Sequence, residues 1–417
     1  MGFRITTNMM MNTYRFNLMN SNKHLSDSVE KVQTKRNFNS YAEDPASASQ
    51  AFRLRRDWWQ TGNQLENNEF AYNKFHTAWA NVGGMIDDLS DTNARVAAIR
   101  GTSGTAGESR RALAQVLRET ANSVIQGMNQ KVGEQFIFSG NDGLNVPFSW
   151  SDDGTKLYYR GVNVNAGGVE KPAGAEPAWG NLDPSTYLPE DMPSSSTDPD
   201  EQAWIDYYKD QSDLTKLNIM KDEQLNIDLG MGLAEVNGKL VNGSAFNTAL
   251  SGLDFVDYGV DKDGDPKNLA LVMKDLAKVF DTWGENGQKY LPEKYRDMSA
   301  DEIKAIMADE SSPEAQEINA FHAEYEAKAS RLMDKLNAAQ KSATEMYVEL
   351  DANASFLKTN GERLSSQVTN LNEQVLNVEQ INLADAITSL SWDQMCYNAA
   401  LKIGTQLLSQ SLIDFMN

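Results

Sequence analysis

The feature that most constrains this chain is a repeat of apolar residues near its C-terminus. From Pro313 to Asn417 the sequence predicts one almost unbroken helix, because apolar residues recur at alternating steps of three and four. A helix of roughly 100 residues would be about 150 Å long and cannot bury its narrow apolar face without partner helices. The repeat comprises Ile318, Phe321, Tyr325, Leu332, Leu336, Ala339, Ala343, Met346, Leu350, Ala354 and Leu357, and it resumes after Gly361 as Leu364, Val368, Leu371, Val375 and Val378.

The composition of the chain argues against several classes of function. With 417 residues and a formal net charge of −21, the chain lacks the basic surface that general nucleic-acid binding requires. The single Cys396 excludes an intrachain disulfide framework and argues against a zinc site. No apolar run approaches the roughly 20 residues of a membrane span, and the first residues lack the apolar core of a cleavable signal peptide. We therefore expect neither a nucleic-acid partner nor a membrane span.

Three helices are predicted in the first third of the chain. Residues 1 to about 40 have a helical spacing of apolar residues, but their many asparagines are poor helix formers, so this segment depends on a partner. Asp44-Pro45 supplies a capping carboxylate and a proline suited to a first helical turn, and predicts a helix that runs to about residue 100. Gly83-Gly84 is expected to kink or loosen it. A third helix is expected over residues 108–132.

The middle of the chain has a different pattern. An apolar run at 136–140 and turn signals at 141–143 and 152–154 predict hairpin strands that include Trp150 and residues 157–159. Residues 165 to about 300 are acidic and, in their first part, rich in Gly, Pro and Ser. They predict an inserted domain with a helix near 204–210, a strand near 224–229 and a helix near 269–280.

These patterns predict a mainly α fold. It is a long antiparallel coiled coil or helical bundle built from both chain ends, with a β-hairpin tip and an inserted mixed α+β domain that projects from the far end. Three domains are expected. Residues 1–40 and 365–417 form a terminal coiled-coil domain, residues 41–165 and 305–364 form a helical bundle domain with the β-hairpin, and residues 166–304 form an acidic outer domain.

No residue pattern in the chain predicts catalysis, a cofactor site or a metal site. The three histidines have no metal-ligand neighbour at helical spacing, and phosphate loops and nucleophile elbows are absent from the sequence. Asp261 to Asp265 is similar to a calcium loop, but its glycine falls too early, and a solvated acidic turn is the preferred interpretation. For Trp58-Trp59, a packed helix face is preferred over a ligand-stacking surface. We expect a protein without enzymatic activity.

The ends of the chain instead predict assembly. A helix that is apolar on several sides needs more neighbours than one partner helix can supply. The repeat at 313–357 can be covered by residues 45–132, whereas the two extremities have no such cover. The expected subunit interface comprises Ile5, Met9, Phe16, Met19, Leu25, Val29, Ile387, Leu390, Leu401, Leu408, Leu412 and Phe415.

Six short segments, in the same order, resemble the flagellin superfamily, and within it the hook-associated proteins that join hook to filament. Single segments are weak signals, but the series is specific, and the resemblance covers residues 1–165 and 313–417. In the second segment Ala42-Glu43 replaces the usual Ser-Asp. The segments are Phe3–Met10, Tyr41–Ala48, Phe136–Gly140, the series Pro147-Phe148 with Tyr159-Arg160-Gly161, Asn382–Ile387 and Ser409–Phe415.

This resemblance implies a structural protein of the bacterial flagellum, located outside the cell. It implies export in an unfolded state through the flagellar type III apparatus without a cleaved signal peptide, and assembly into a short ring or tube. Its partners would be further copies, the hook-side junction protein, flagellin and a cytoplasmic export chaperone at the C-terminal helix. Its terminal helices would be disordered in the monomer and ordered on assembly. The alternatives are a filament flagellin, or a secreted protein whose inserted domain binds a ligand.

Overall fold

A computed structural model describes residues 7–100, 107–177, 179, 192–241, 243–283, 289–309 and 311–416. The fold is mainly helical, with antiparallel packing of α1 on α10 and of α2 on α9, as the sequence predicts. The elements in chain order are α1 (Thr7–Thr34), α2 (Pro45–Arg100), α3 (Gly107–Met128), β1 (Lys131–Val132), β2 (Gln135–Phe136), β3 (Phe148–Trp150), β4 (Leu157–Tyr159), β5 (Val162–Asn163), α4 (Pro199–Lys221), β6 (Asn226–Ile227), β7 (Glu235–Val236), β8 (Lys239–Leu240), β9 (Phe246–Asn247), α5 (Gly252–Val256), α6 (Leu269–Trp283), α7 (Glu293–Arg296), α8 (Ala300–Met307), α9 (Pro313–Glu379) and α10 (Leu383–Met416).

The almost unbroken helix expected over 313–417 is present as α9 and α10, with one interruption between Glu379 and Leu383. The loop after α1 holds the interruption in place: the Asn37 side-chain amide donates to the carbonyl oxygens of Val378 and Gln380, at 3.0 Å each. The Asn382 side chain then accepts from the amide two residues later, at 3.1 Å, which caps the new helix. An asparagine cap and an external amide therefore replace the hydrogen bonds of a continuous helix.

Helix α2 begins where the sequence predicts. The Asp44 carboxylate accepts from the backbone amides of Ala46 and Ser47 at 3.2 and 3.1 Å. Hydrogen bonds from Ser47 are the main reason that the pKa of Asp44 is lowered. The helix is continuous through Gly83-Gly84, and the expected kink or loosening there stays a prediction.

The chain divides into two compact units. Unit 1 comprises residues 1–66 and 361–417, and unit 2 comprises residues 67–360. Helices α2 and α9 contribute residues to both. The three-domain division expected from the sequence stays a prediction.

Unit 2 contains an extensive hydrophobic core, formed by α2, α3, α6, α9 and the small strands. The antiparallel course of α2 and α9 is visible in their contacts: the Asn68 amide donates to the Leu357 carbonyl at 2.8 Å, and Trp79 stacks on Tyr347 with ring centroids 5.5 Å apart. Helix α6 lies in the middle of the chain yet packs on α3 and joins the same core. Long-range packing thus combines distant parts of the chain into one core.

The predicted hairpin is present as a three-stranded antiparallel sheet in the order β3-β4-β5, with Phe148 opposite Tyr159. Two segments of the family resemblance meet here. The Tyr159 hydroxyl donates to the Phe138 carbonyl at 3.0 Å, and Arg160 Nη1 donates to both carboxylate oxygens of Glu223, at 2.9 and 2.8 Å. Gly140 has φ +66°, and a Cβ there would lie 2.5 Å from Glu223 Oε2. These residues join the hairpin to the end of α4.

Lys74 is a buried cation in unit 2. It lies on α2, is 6% exposed, and donates through Nζ to the Thr248 carbonyl at 2.8 Å. Burial disfavours the charged form and lowers the pKa of Lys74 to about 8. Because its pKa in the unfolded chain is near 10.5, the unfolded state binds more protons between these two values. Stability of unit 2 therefore rises with pH across that interval.

We predict that Lys74→Met abolishes this pH dependence. From pH 8 to pH 10.5 the wild-type chain should gain about 3 kcal/mol of unfolding free energy relative to the variant, because methionine has no proton to lose. Urea unfolding at a series of pH values measures the difference. Lys341→Met is the matched control, since the Lys341 side chain is 81% exposed. Parallel pH profiles for wild type and Lys74→Met would contradict the prediction.

Candidate assembly surface

The described side chains of unit 1 form almost no hydrophobic core. Three apolar side chains are buried in its described part, those of Ala51, Leu364 and Val375, whereas the other buried apolar side chains of the described chain lie in unit 2. Unit 1 nevertheless exposes large apolar groups on every one of its helices. A folded unit of this length needs apolar burial to offset its conformational entropy. Unit 1 is therefore incomplete as an isolated body.

Helices α1 and α10 pair along a seam with alternating steps of three and four residues. Apart from the buried Gly404, the seam residues are half-buried, and several of them are small or polar, so the pair buries little apolar area. The seam consists of Met11, Tyr14, Leu18, Ser21, Leu25, Ser28 and Val32 on α1, and of Ala386, Leu390, Asp393, Tyr397, Ala400 and Gly404 on α10.

Two contacts set the register of this pair. The Ser28 hydroxyl donates to Asp393 Oδ2 at 2.5 Å, which satisfies a carboxylate inside the seam. Near the other end, the Tyr14 ring lies against Gly404 so closely that a Cβ at 404 would overlap the phenol. A polar pair and a small-residue contact of this kind select one alignment of two helices.

The structure separates the predicted interface residues into three groups. Leu25, Val29 and Leu390 are half-buried at the α1–α10 pair. The second group is exposed on the outer faces of the two helices, and the third lies outside the described side chains. The second group is Met9 at 62%, Phe16 at 65%, Met19 at 71%, Ile387 at 48% and Leu401 at 40% exposed; the third is Ile5, Leu408, Leu412 and Phe415.

Further exposed groups of α10 lie outside the predicted interface set; the sequence already indicated Met395 and Ile403 as part of an end that is apolar on several sides, and it missed Trp392. Trp392, Met395 and Ile403 are 65%, 56% and 53% exposed on α10, so this helix is apolar on more than one outer side. The expectation of a packed face for Trp58-Trp59 is wrong for Trp59, which is 64% exposed, whereas Trp58 is half-buried. Adjacent residues on a helix point about 100° apart, so one tryptophan packs while the next faces outwards. That spacing was the available signal.

The acidic turn in unit 2 is occupied by cations of the chain itself. Asp261, Asp263 and Asp265 converge, but Lys335 Nζ lies 2.5 Å from the first and the last of these carboxylates and 3.6 Å from the other. Arg331 Nε binds Asp265 at 2.6 Å. Although desolvation opposes it, hydrogen bonds from these two side chains keep the pKa of Asp265 below its ordinary value. The turn therefore anchors its loop to α9.

No helix in the described ranges is both long and apolar enough to cross a lipid bilayer.

Comparison with known protein families gives a match for the N-terminal third of the chain. Residues 5–142 match the family model described as the bacterial flagellin N-terminal helical region, so this part is flagellin-like. A solved structure of a candidate flagellar hook-associated protein from Vibrio parahaemolyticus is similar at 10% identity and a TM-score of 0.46, over 81% of this chain and 100% of that chain. No curated protein matches the chain in sequence.

We predict opposite effects for two glycine-to-alanine substitutions in unit 1. Gly404→Ala should weaken the α1–α10 pair, because the new methyl group displaces the Tyr14 ring. Gly62→Ala should stabilise α2 by about 0.5–1 kcal/mol, since no atom lies within 4 Å of a Cβ there. Hydrogen exchange followed by mass spectrometry should show lower protection of peptides from 383–404 in the first variant only. Unchanged protection would contradict the close approach.

Proposed function

We propose that this chain is a structural, non-enzymatic subunit of the bacterial flagellum that assembles through its terminal helices. The observation that carries the proposal is the combination of a flagellin-like N-terminal region with a unit that lacks its own core. Apolar side chains that face solvent in the single chain become buried when copies associate. Unit 2, which has a complete core, supplies the folded body of the subunit.

Within the flagellum, the proposed role is a hook-associated junction protein between hook and filament. Its partners are further copies of itself, the hook-side junction protein and flagellin. The resemblance of Phe136–Gly140 and of Ser409–Phe415 to junction proteins favours this role. In the structure, Gly140 of the first segment lies against Glu223, which follows α4. The location would be extracellular, after export in an unfolded state.

A cytoplasmic export chaperone is the proposed partner of α10 before secretion. Helix α10 exposes Trp392, Met395 and Ile403 in addition to its seam with α1. An apolar surface of this kind promotes aggregation in the cytoplasm unless another protein covers it. The same surface is available for subunit contacts after export.

A filament flagellin is the second candidate, since a match to the flagellin N-terminal helical region is compatible with either role. The two roles differ in where the chain lies along the flagellum and in how many copies are present. Location therefore distinguishes them.

We predict that the chain labels a narrow band where hook meets filament. A short epitope inserted between Asn237 and Gly238 lies in the turn of the β7–β8 hairpin, whose residues are all exposed. Immunogold electron microscopy of isolated flagella locates it, with untagged cells as the control. Label along the whole filament would establish the flagellin role instead. Flagella without label, from cells that secrete the tagged chain, would overturn both roles.

We also predict that deletion of residues 407–417 leaves unit 2 folded and prevents incorporation into flagella. Unit 2 contains none of the deleted residues, so its unfolding midpoint should be unchanged. Incorporation should be lost because the terminal helix is shortened by about three turns. Motility and immunoblots of purified flagella measure it. Normal incorporation of the truncated chain would rule out the C-terminal end as an assembly contact.

A further inference from the structure

Unit 1 contains a second helix pair, formed by residues 45–66 of α2 and residues 361–379 of α9. Arg55 Nη2 binds Glu379 Oε2 at 2.5 Å, and Ala51 on α2 and Leu364 and Val375 on α9 are buried. On α2 the seam continues through the half-buried Leu54, Trp58, Thr61 and Leu65. On α9 it continues through the half-buried Val368, Leu371 and Val378.

The face of α2 opposite this seam is aromatic and basic. Phe52 and Trp59 are 71% and 64% exposed, seven residues apart on one side of the helix. Arg56 lies between them, and Arg53 is exposed on the flank of this face. Arg56 contacts Asp57 at 3.1 Å, but both side chains are exposed to solvent. Replacing this ion pair by one with another carboxylate therefore costs little free energy. In a chain of net charge −21, such a face is an exception. We call Phe52, Arg56, Trp59 and Asn63 the α2 outer face.

The face of α9 opposite the same seam has the complementary character. It consists of the exposed residues Glu362, Ser366, Thr369, Glu373 and Leu376, which we call the α9 outer face. Its two carboxylates lie on the same side of the helix, and Leu376 is 39% exposed beside them. The pair therefore presents a basic aromatic surface on one side and an acidic surface on the other.

We propose that the α2 outer face of one copy docks on the α9 outer face of the next copy. This inference rests on the proposed function, because it identifies one of the contacts by which copies assemble. Two different surfaces on opposite sides of each subunit make a head-to-tail contact, which produces closed rings or helical tubes. The occupant is a second copy because both complementary faces belong to the same unit of this chain.

The spacing of the side chains fits an antiparallel contact, the direction that α2 and α9 have within one copy. When Arg56 of one copy lies beside Glu373 of the next, the residue four positions before it, Phe52, lies beside Leu376. In the other direction, Trp59 lies beside Thr369, and Asn63 lies beside Ser366. The alignment places opposite charges together and buries the exposed aromatic rings.

Charge reversal tests this contact in the full-length chain. Arg56→Glu and Glu373→Arg should each reduce self-association at least tenfold, because each variant opposes two like charges at every contact between copies. The double variant, with both charges exchanged, should recover association. An equimolar mixture of the two single variants should also associate, as an alternating copolymer. Sedimentation velocity and negative-stain electron microscopy measure association, and circular dichroism verifies that every variant is folded.

Arg95→Glu is the matched control, since Arg95 is an exposed arginine of α2 that pairs with Asp91 in unit 2. It should associate as the wild type does. The inference is overturned, while the proposed function stands, if either single variant associates normally or if the double variant and the mixture fail to recover. The second result would mean that the face binds a partner other than a copy. A wild-type chain that neither self-associates nor enters flagella overturns both proposals.

Discussion

The structure depends on the need of two very long helices to cover their apolar sides. Helix α9 extends over Pro313–Glu379 and α2 over Pro45–Arg100, and neither buries its stripe without the other. Where α3, α6 and the small strands add a second layer, as in unit 2, the stripe lies in a complete core. In unit 1 each helix packs along one seam with a single partner helix, and few of its described apolar side chains are buried. This difference in cover accounts for the complete core of unit 2 and for the exposed apolar side chains of unit 1.

Polar contacts determine how the apolar layers are aligned. Glu223 receives Arg160 and lies against Gly140, so the hairpin has one position on α4. Lys335 enters the acidic turn at Asp261 and Asp265, so that loop has one position on α9. These groups contribute modestly to stability, but the cost of leaving a buried charge unpaired makes other alignments unfavourable. Ser28 with Asp393 serves the same purpose in the weakly packed α1–α10 pair.

A subunit designed for assembly has conflicting requirements. Its interface must be apolar enough to stabilise the polymer, yet the single chain must not aggregate before association. The arrangement here uses thin seams, small residues such as Gly404 and exposed side chains such as Phe16 on the outer faces. In the contact proposed between copies, the charged outer faces of α2 and α9 would add direction, because like faces repel and unlike faces attract. Apolar surface supplies affinity, and charge selects the partner surface.

The sequence by itself determined the long helices, the start of α2 at Asp44, the hairpin near Trp150 and the apolar character of the last helix on more than one side. These features depend on the spacing of residues along the chain, which local geometry converts into a face, a cap or a turn. Only the tertiary structure decided that Asn37 binds the interruption of the last helix at Gln380 and that α6 joins the core through α3. Each of these outcomes depends on a residue distant in sequence, and periodicity contains no information about which distant residue arrives as the neighbour.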